Sequence, residues 1–167
     1  MEIDPLDYSR ICHLMVRYSH AVDFGRPGDL AECFTADGFF EIAGIPSDDP
    51  LAGPFRGPEG LRRLCEILWD SVRGHGRHWV QPPLIESVGK DVVQTRTYVM
   101  FVRVGNVPAA GILSTGMYRD EFHMVDGRWL LASRIFSGDP QPGHVGEGSN
   151  PLIWARDDFV GRVEGKN

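Results

Sequence analysis

The chain has 167 residues, 42% of them hydrophobic and 24% charged, with a formal net charge of −6. That length fits one domain with a core large enough to enclose a small cavity. The charge argues against a nucleic-acid-binding surface, which needs clustered Lys and Arg. No run of 18 apolar residues suggests a membrane span, and the acidic opening MEIDPLDYSR does not read as a signal peptide. Three cysteines, Cys12, Cys33 and Cys65, lie in apolar stretches and read as reduced thiols of a cytoplasmic protein.

The first element spans DPLDYSRICHLMVRYSHAVDF. Ile11, Leu14, Met15, Tyr18 and Val22 recur at helical spacing and predict one apolar face. Asp4 or Asp7 suits the N-cap, and Pro5 suits the first turn. The pattern meets Asp23 and breaks at Gly25 and Pro27. After GRPG, DLAECFT predicts a short second helix, and ADGFFEIAG a turn into a strand. Residues 45–57 are rich in Pro and Gly and predict an exposed loop, long enough to act as a lid. A third helix follows over PEGLRRLCEILWDSV, opened by Pro58 and closed by Gly74.

The remainder predicts strands. HWVQPPLIESV ends at GKD, VVQTRTYVMFVRV at GN, and GILSTGMYRDEFHMV at DG, a strong hairpin signal before WLLASRIFS. The tail from 138 to 167 reads as irregular, with a short helix possible around IWARDDFV. The fold class is α+β: helices packed on one face of a curved sheet, in a single domain over 1–167.

Asp23 before FGRPG suits two roles, a helix-end residue or a carboxylate aimed into a pocket. His78 is a histidine at a strand entry. Tyr18 lies on the apolar face of the first helix. Trp79, Tyr98, Met100 and Phe101 belong to core or pocket wall, with the inward face left open, and Tyr18, Tyr98 or Tyr118 suits a hydrogen bond to a substrate oxygen. Arg134 alternates with Leu131 and Ser133, so it faces the other side of its strand, as a surface residue or a pocket cation. His13 and His20, seven apart, are expected at the surface. His75 and His78 lack a carboxylate companion for a metal, and no CxxC or HExxH occurs, so no metal site is expected. No Rossmann or P-loop glycine pattern is present either.

Tyr18-x4-Asp23-x9-Cys33-Phe34, followed by Asp37-Gly38, resembles the opening of the nuclear-transport-factor-2-like (NTF2-like) superfamily. Its SnoaL-like and scytalone-dehydratase-like branch is the most similar. RHWVQPPLIESVGKDVV resembles that branch's strand that begins with a catalytic His, and GMYRDEFHMVDGRWLLASRIF its closing hairpin. The resemblance covers roughly residues 8 to 137. It implies a cone: a strongly curved, mixed or antiparallel sheet with N-terminal helices over its concave face, enclosing a pocket. It implies a catalytic dyad of Asp23 and His78, with Tyr18 as a donor to substrate oxygen; Trp79, Tyr98, Met100, Tyr118 and Arg134 are the candidate pocket residues.

Scytalone dehydratase itself has a tyrosine directly before the Asp, where this chain has Val22. Its second catalytic histidine falls near Arg103, and its Ser and Asn near Gly116 and Tyr118. The dyad is kept and those substrate-binding groups are not.

The implied activity is that of a cofactor-independent lyase or isomerase on a small, largely apolar hydroxylated or keto ring compound. Dehydration is favoured over cyclisation or a double-bond shift. The rival is a non-catalytic member, either a ligand-binding protein or the structural β subunit of a ring-hydroxylating dioxygenase. The expected partners are a small-molecule substrate and further copies of the chain in a homodimer or homotrimer, with no nucleic acid, membrane or cofactor.

Overall fold

The computed structural model describes residues 2–105 and 110–139, which form three helices and seven strands. Helix α1 (Pro5–Asp23) starts where the sequence places its cap: the Asp4 carboxylate accepts the N–H groups of Leu6 at 2.8 Å and Asp7 at 3.4 Å. Its buried face carries Ile11, Leu14, Met15, Tyr18 and Val22. Each large apolar side chain so buried stabilises the fold by roughly 1.5–3 kcal/mol. Helix α2 (Pro27–Ala31) is shorter than DLAECFT suggests, because Phe34 belongs to the next strand. Helix α3 (Gly57–Val72) buries Leu61, Leu64 and Cys65 and ends at Arg73 and Gly74, both at positive φ.

The strands are β1 (Phe34–Ile42), β2 (Phe55–Arg56), β3 (Gly76–Val80), β4 (Leu84–Val88), β5 (Val92–Arg103), β6 (Gly111–Val125) and β7 (Arg128–Gly138). HWVQPPLIESV, expected as one strand, is two. Pro82 and Pro83 have no N–H to give a ladder, so β3 and β4 lie end to end along β5. The order β2-β1-β7-β6-β5-β3 makes one sheet, with β4 also paired to β5. Two strands precede α3, where the residues predict one, over ADGFFEIAG. The sheet is mixed, because β1 runs parallel to β7 while the other pairs are antiparallel.

The β6–β7 hairpin turns at Asp126 and Gly127, with φ of 50° and 76°. Two positive φ values are what an Asp-Gly turn of the primed kind requires. Across this hairpin Glu121 faces Ser133 but Phe122 faces Leu131, so Ala132 is an extra residue in β7. Such a bulge resets the alternation of faces. Leu131 and Arg134 are therefore both fully buried, three residues apart.

The helices cover one face of the sheet, α1 against β3 and β7, and α3 against β1 and β2. Loop 45–57 is not wholly exposed: Phe55 is buried and pairs with Phe40, and Ile45 and Leu51 reach the space beneath the helices. Gly138 is the last residue of β7. The expected helix around IWARDDFV and the rest of the 138–167 tail beyond Asp139 lie outside the described residues.

Candidate active site

Asp23 is the last residue of α1 and is 7% exposed. A carboxylate has the wrong charge for a helix C-terminus, where the macrodipole favours cations. Its side chain does not cap the helix. It reaches across to β3 and holds His78 twice: Oδ2 accepts the His78 backbone N–H at 2.9 Å, and Oδ1 lies 2.6 Å from the ring Nδ1. The first bond fixes the strand against the helix end, and the second fixes the ring. Arg77 adds to the clamp, donating to the Asp23 carbonyl at 3.4 Å and stacking over Phe24.

A carboxylate on Nδ1 selects the tautomer with the proton there, leaving Nε2 as the basic nitrogen. Nε2 makes no hydrogen bond to any described residue. The imidazole also packs on Phe101, with ring centroids 4.7 Å apart. Gly76 makes room for that packing: a Cβ there would lie 2.4 Å from the Phe101 ring.

His78 lines a cavity of about 260 Å³ between the helices and the sheet. Its walls are largely apolar, with Phe40, Val99, Phe101 and Phe136, and its polar groups include the phenols of Tyr18 and Tyr118. Ser71 and Ser114 also border it, and Ile45 and Leu51 close it from the 45–57 loop. The volume lies just under the ~300–1,000 Å³ usual for small-molecule sites, which favours a compact ligand.

Behind the two phenols lies a second charged pair. Arg134 Nε and Nη2 donate to the two oxygens of Asp120 at 2.8 and 2.7 Å, and both side chains are fully buried. The guanidinium is sandwiched, 4.1 Å from the Tyr18 ring centroid and 4.2 Å from that of Tyr118. Burial opposes its charge, but the Asp120 carboxylate outweighs this and holds Arg134 more firmly protonated than usual. Burial also pushes both phenols up, Tyr18 well above its ordinary 10.0. Arg134 pulls each of them back, while Asp120 adds to the rise. Both tyrosines are therefore neutral hydrogen-bond donors. The Tyr18 hydroxyl is buried without a partner among the described residues.

The structure thus brings together Asp23, His78, Tyr18 and Tyr118. It does not bring Trp79, Tyr98 or Met100 to the cavity. On β5 the buried residues are Val93, Thr95, Thr97 and Val99, and the alternate ones turn outward. Tyr98 is 57% exposed, Trp79 on β3 is 64% exposed, and Met100 pairs with Trp79 in the ladder. Arg134 is neither a surface residue nor part of the cavity wall; it lies beneath the two phenols. Asp120 was not singled out by sequence reasoning. Its signal was present in the period-two row Tyr118, Asp120, Phe122, which puts a carboxylate on a buried face. His13, His20 and His75 are exposed, and among the described residues no cluster of three His, Cys, Asp or Glu side chains is arranged for a metal.

A family model described as a SnoaL-like domain matches residues 5–135. The chain belongs to this SnoaL-like family. Among solved structures, a protein of unknown function from Mycobacterium tuberculosis is 26% identical with a TM-score of 0.70, covering 91% of this chain and 90% of its own. A Novosphingobium aromaticivorans protein, NTF2-like with a cystatin-like fold, superposes with a TM-score of 0.71 at 17% identity, over 89% of both chains. A scytalone dehydratase candidate from the same organism is 22% identical with a TM-score of 0.67, covering 88% of this chain and 93% of its own. The fold is therefore NTF2-like, as the resemblance implied. No curated protein matches the chain. No described helix is long and apolar enough to cross a membrane.

Proposed function

We propose that this SnoaL-like protein is an acid–base lyase that dehydrates a small cyclic β-hydroxyketone, without a cofactor. The observation that carries the reading is the 2.6 Å Asp23–His78 contact at the wall of an apolar cavity. His78 Nε2 takes a proton from the carbon next to the ketone. Negative charge then develops on the ketone oxygen, which Tyr118 and Tyr18 stabilise by hydrogen bonds. The enolate re-forms its carbonyl and expels the β-hydroxyl, which leaves as water with the proton held on Nε2. The products are an enone and water, and His78 returns to its starting form. Asp23 keeps the tautomer and stabilises the imidazolium between the two proton transfers. The cavity volume favours one ring or two fused rings over a tetracyclic skeleton.

The first half of this reaction needs no leaving group, so it can be tested before the substrate is identified. NMR in D2O should show exchange of the α-protons of 1-tetralone or 2-tetralone, faster with protein than with buffer. A panel of cyclic β-hydroxyketones should then show the ultraviolet absorption of the enone. Exchange that is absent, or that survives in His78→Ala, would sink the proposal and favour the non-catalytic rival.

A further inference from the structure

Another concavity lies between α1 and the β6–β7 turn, with a volume of about 410 Å³. It is lined by Arg10, His13 and Arg17 from α1 and by Arg128 from the start of β7, with no carboxylate among its lining residues. In a chain of net charge −6 this is a local reversal of sign. Arg128 is exposed and makes no ion pair among the described residues. Arg10 pairs with Asp7 at 3.0 Å and Arg17 with Glu32 at 3.7 Å, but their side chains remain 51% and 43% exposed. Exposed pairs of this kind are worth only ~0–1 kcal/mol, so they compete weakly with a ligand.

The floor is apolar: Leu14, Trp129 and Leu130 are each less than one-tenth exposed. Trp129 also carries a buried indole N–H with no partner among the described residues. Planar guanidinium groups match phosphate and carboxylate oxygens, and a concave wall of low dielectric strengthens that attraction. An apolar floor under a cationic rim selects a ligand with both characters.

We propose that this cleft binds an organic anion, a flat apolar body bearing one phosphate or carboxylate group, at a site separate from the His78 cavity. The inference does not depend on the proposed reaction.

The test uses 2-naphthyl phosphate titrated into the full chain at constant ionic strength. Binding is followed at the Trp129 indole N–H in 1H–15N spectra, assigned with Trp129→Phe. The expected result is a saturable shift with a Kd of about 1 mM or tighter. It should weaken at least ~10-fold in the Arg17→Ala/Arg128→Ala double variant, whose changes lie at exposed side chains and leave the rest of the spectrum in place. Uncharged 2-naphthol should leave the Trp129 signal unmoved. A shift that does not saturate, that sodium chloride reproduces, or that persists in the double variant would overturn the proposal. Equal affinity for inorganic phosphate would overturn the part assigned to the apolar floor.

Discussion

Two pairs of a carboxylate with a basic side chain stand beside one cavity, and they differ in what the basic group can do. Asp120 and Arg134 are sealed, with both carboxylate oxygens used in a bidentate contact and no side-chain surface left. Asp23 and His78 are nearly as buried, at 6% and 10% of their side chains, but only one ring nitrogen is engaged. A guanidinium does not give up its proton in a protein, so the first pair is a fixed charge distribution behind the phenols. An imidazole can take a proton at its free nitrogen and hand it back, so the second pair can work on a ligand. Burial of a charged pair is therefore no sign of catalysis; the free nitrogen is.

The comparison breaks most sharply at Arg134. Arg134→Met leaves Asp120 buried and unpaired, at an expected cost of about 3–5 kcal/mol, read as a large fall in Tm or loss of soluble protein. Asp120→Leu combined with Arg134→Met removes both charges and should recover most of that loss. A double variant as unstable as the single would contradict the assignment of this pair as structural.

At the other pair the loss should fall on rate. His78→Ala and Asp23→Asn should each slow α-proton exchange by about 10²–10⁴-fold, while Asp23→Asn lowers Tm less than Arg134→Met does. Tyr118→Phe removes one donor to the ketone oxygen and should cost on the order of 10²-fold in exchange, with His78 intact. An unchanged rate in Tyr118→Phe would move that role to Tyr18.

A further effect, confined to alkaline pH, comes from the buried thiols. Burial pushes the thiols of Cys33 and Cys65 from an ordinary 9.0 up to about 11. Between those values the folded chain holds protons that the unfolded chain has released. The folded state then binds more protons, so stability is full below pH 9.0 and falls as pH rises toward about 11. Thermal melts across this window should show the decline, and Cys65→Ala should make it shallower. Tyr18 and Tyr118, also raised by burial, add to the decline above pH 10.0.

Local chemistry made part of this legible in the sequence. The α1 cap at Asp4, its apolar face and the Asp126–Gly127 turn follow from residue types acting within a few positions. Asp23 and His78, 55 residues apart, could be joined only through the family resemblance, and the structure places them in contact. Three features were illegible because they depend on distant chain. The faces of β5 follow a period of two that does not say which side is inside, and Tyr98 and Met100 lie on the side away from the cavity. The break at Pro82 and Pro83 is by contrast a local signal, since neither has an N–H to give; only the sharing of β5 by β3 and β4 depends on distant chain. The bulge at Ala132 swaps the face of Arg134, and nothing in LLASRIF marks it. The parallel pairing of β1 with β7 spans most of the chain and has no local signal at all.

The most direct measurement is the ring-nitrogen spectrum of His78, a long-range 1H–15N experiment on the neutral imidazole, in wild type and Asp23→Asn. The Asp23–His78 contact predicts a proton on Nδ1 and a bare Nε2 in the wild type, with that preference weakened in the variant. A wild-type ring protonated on Nε2, or a tautomer indifferent to Asp23→Asn, would contradict it.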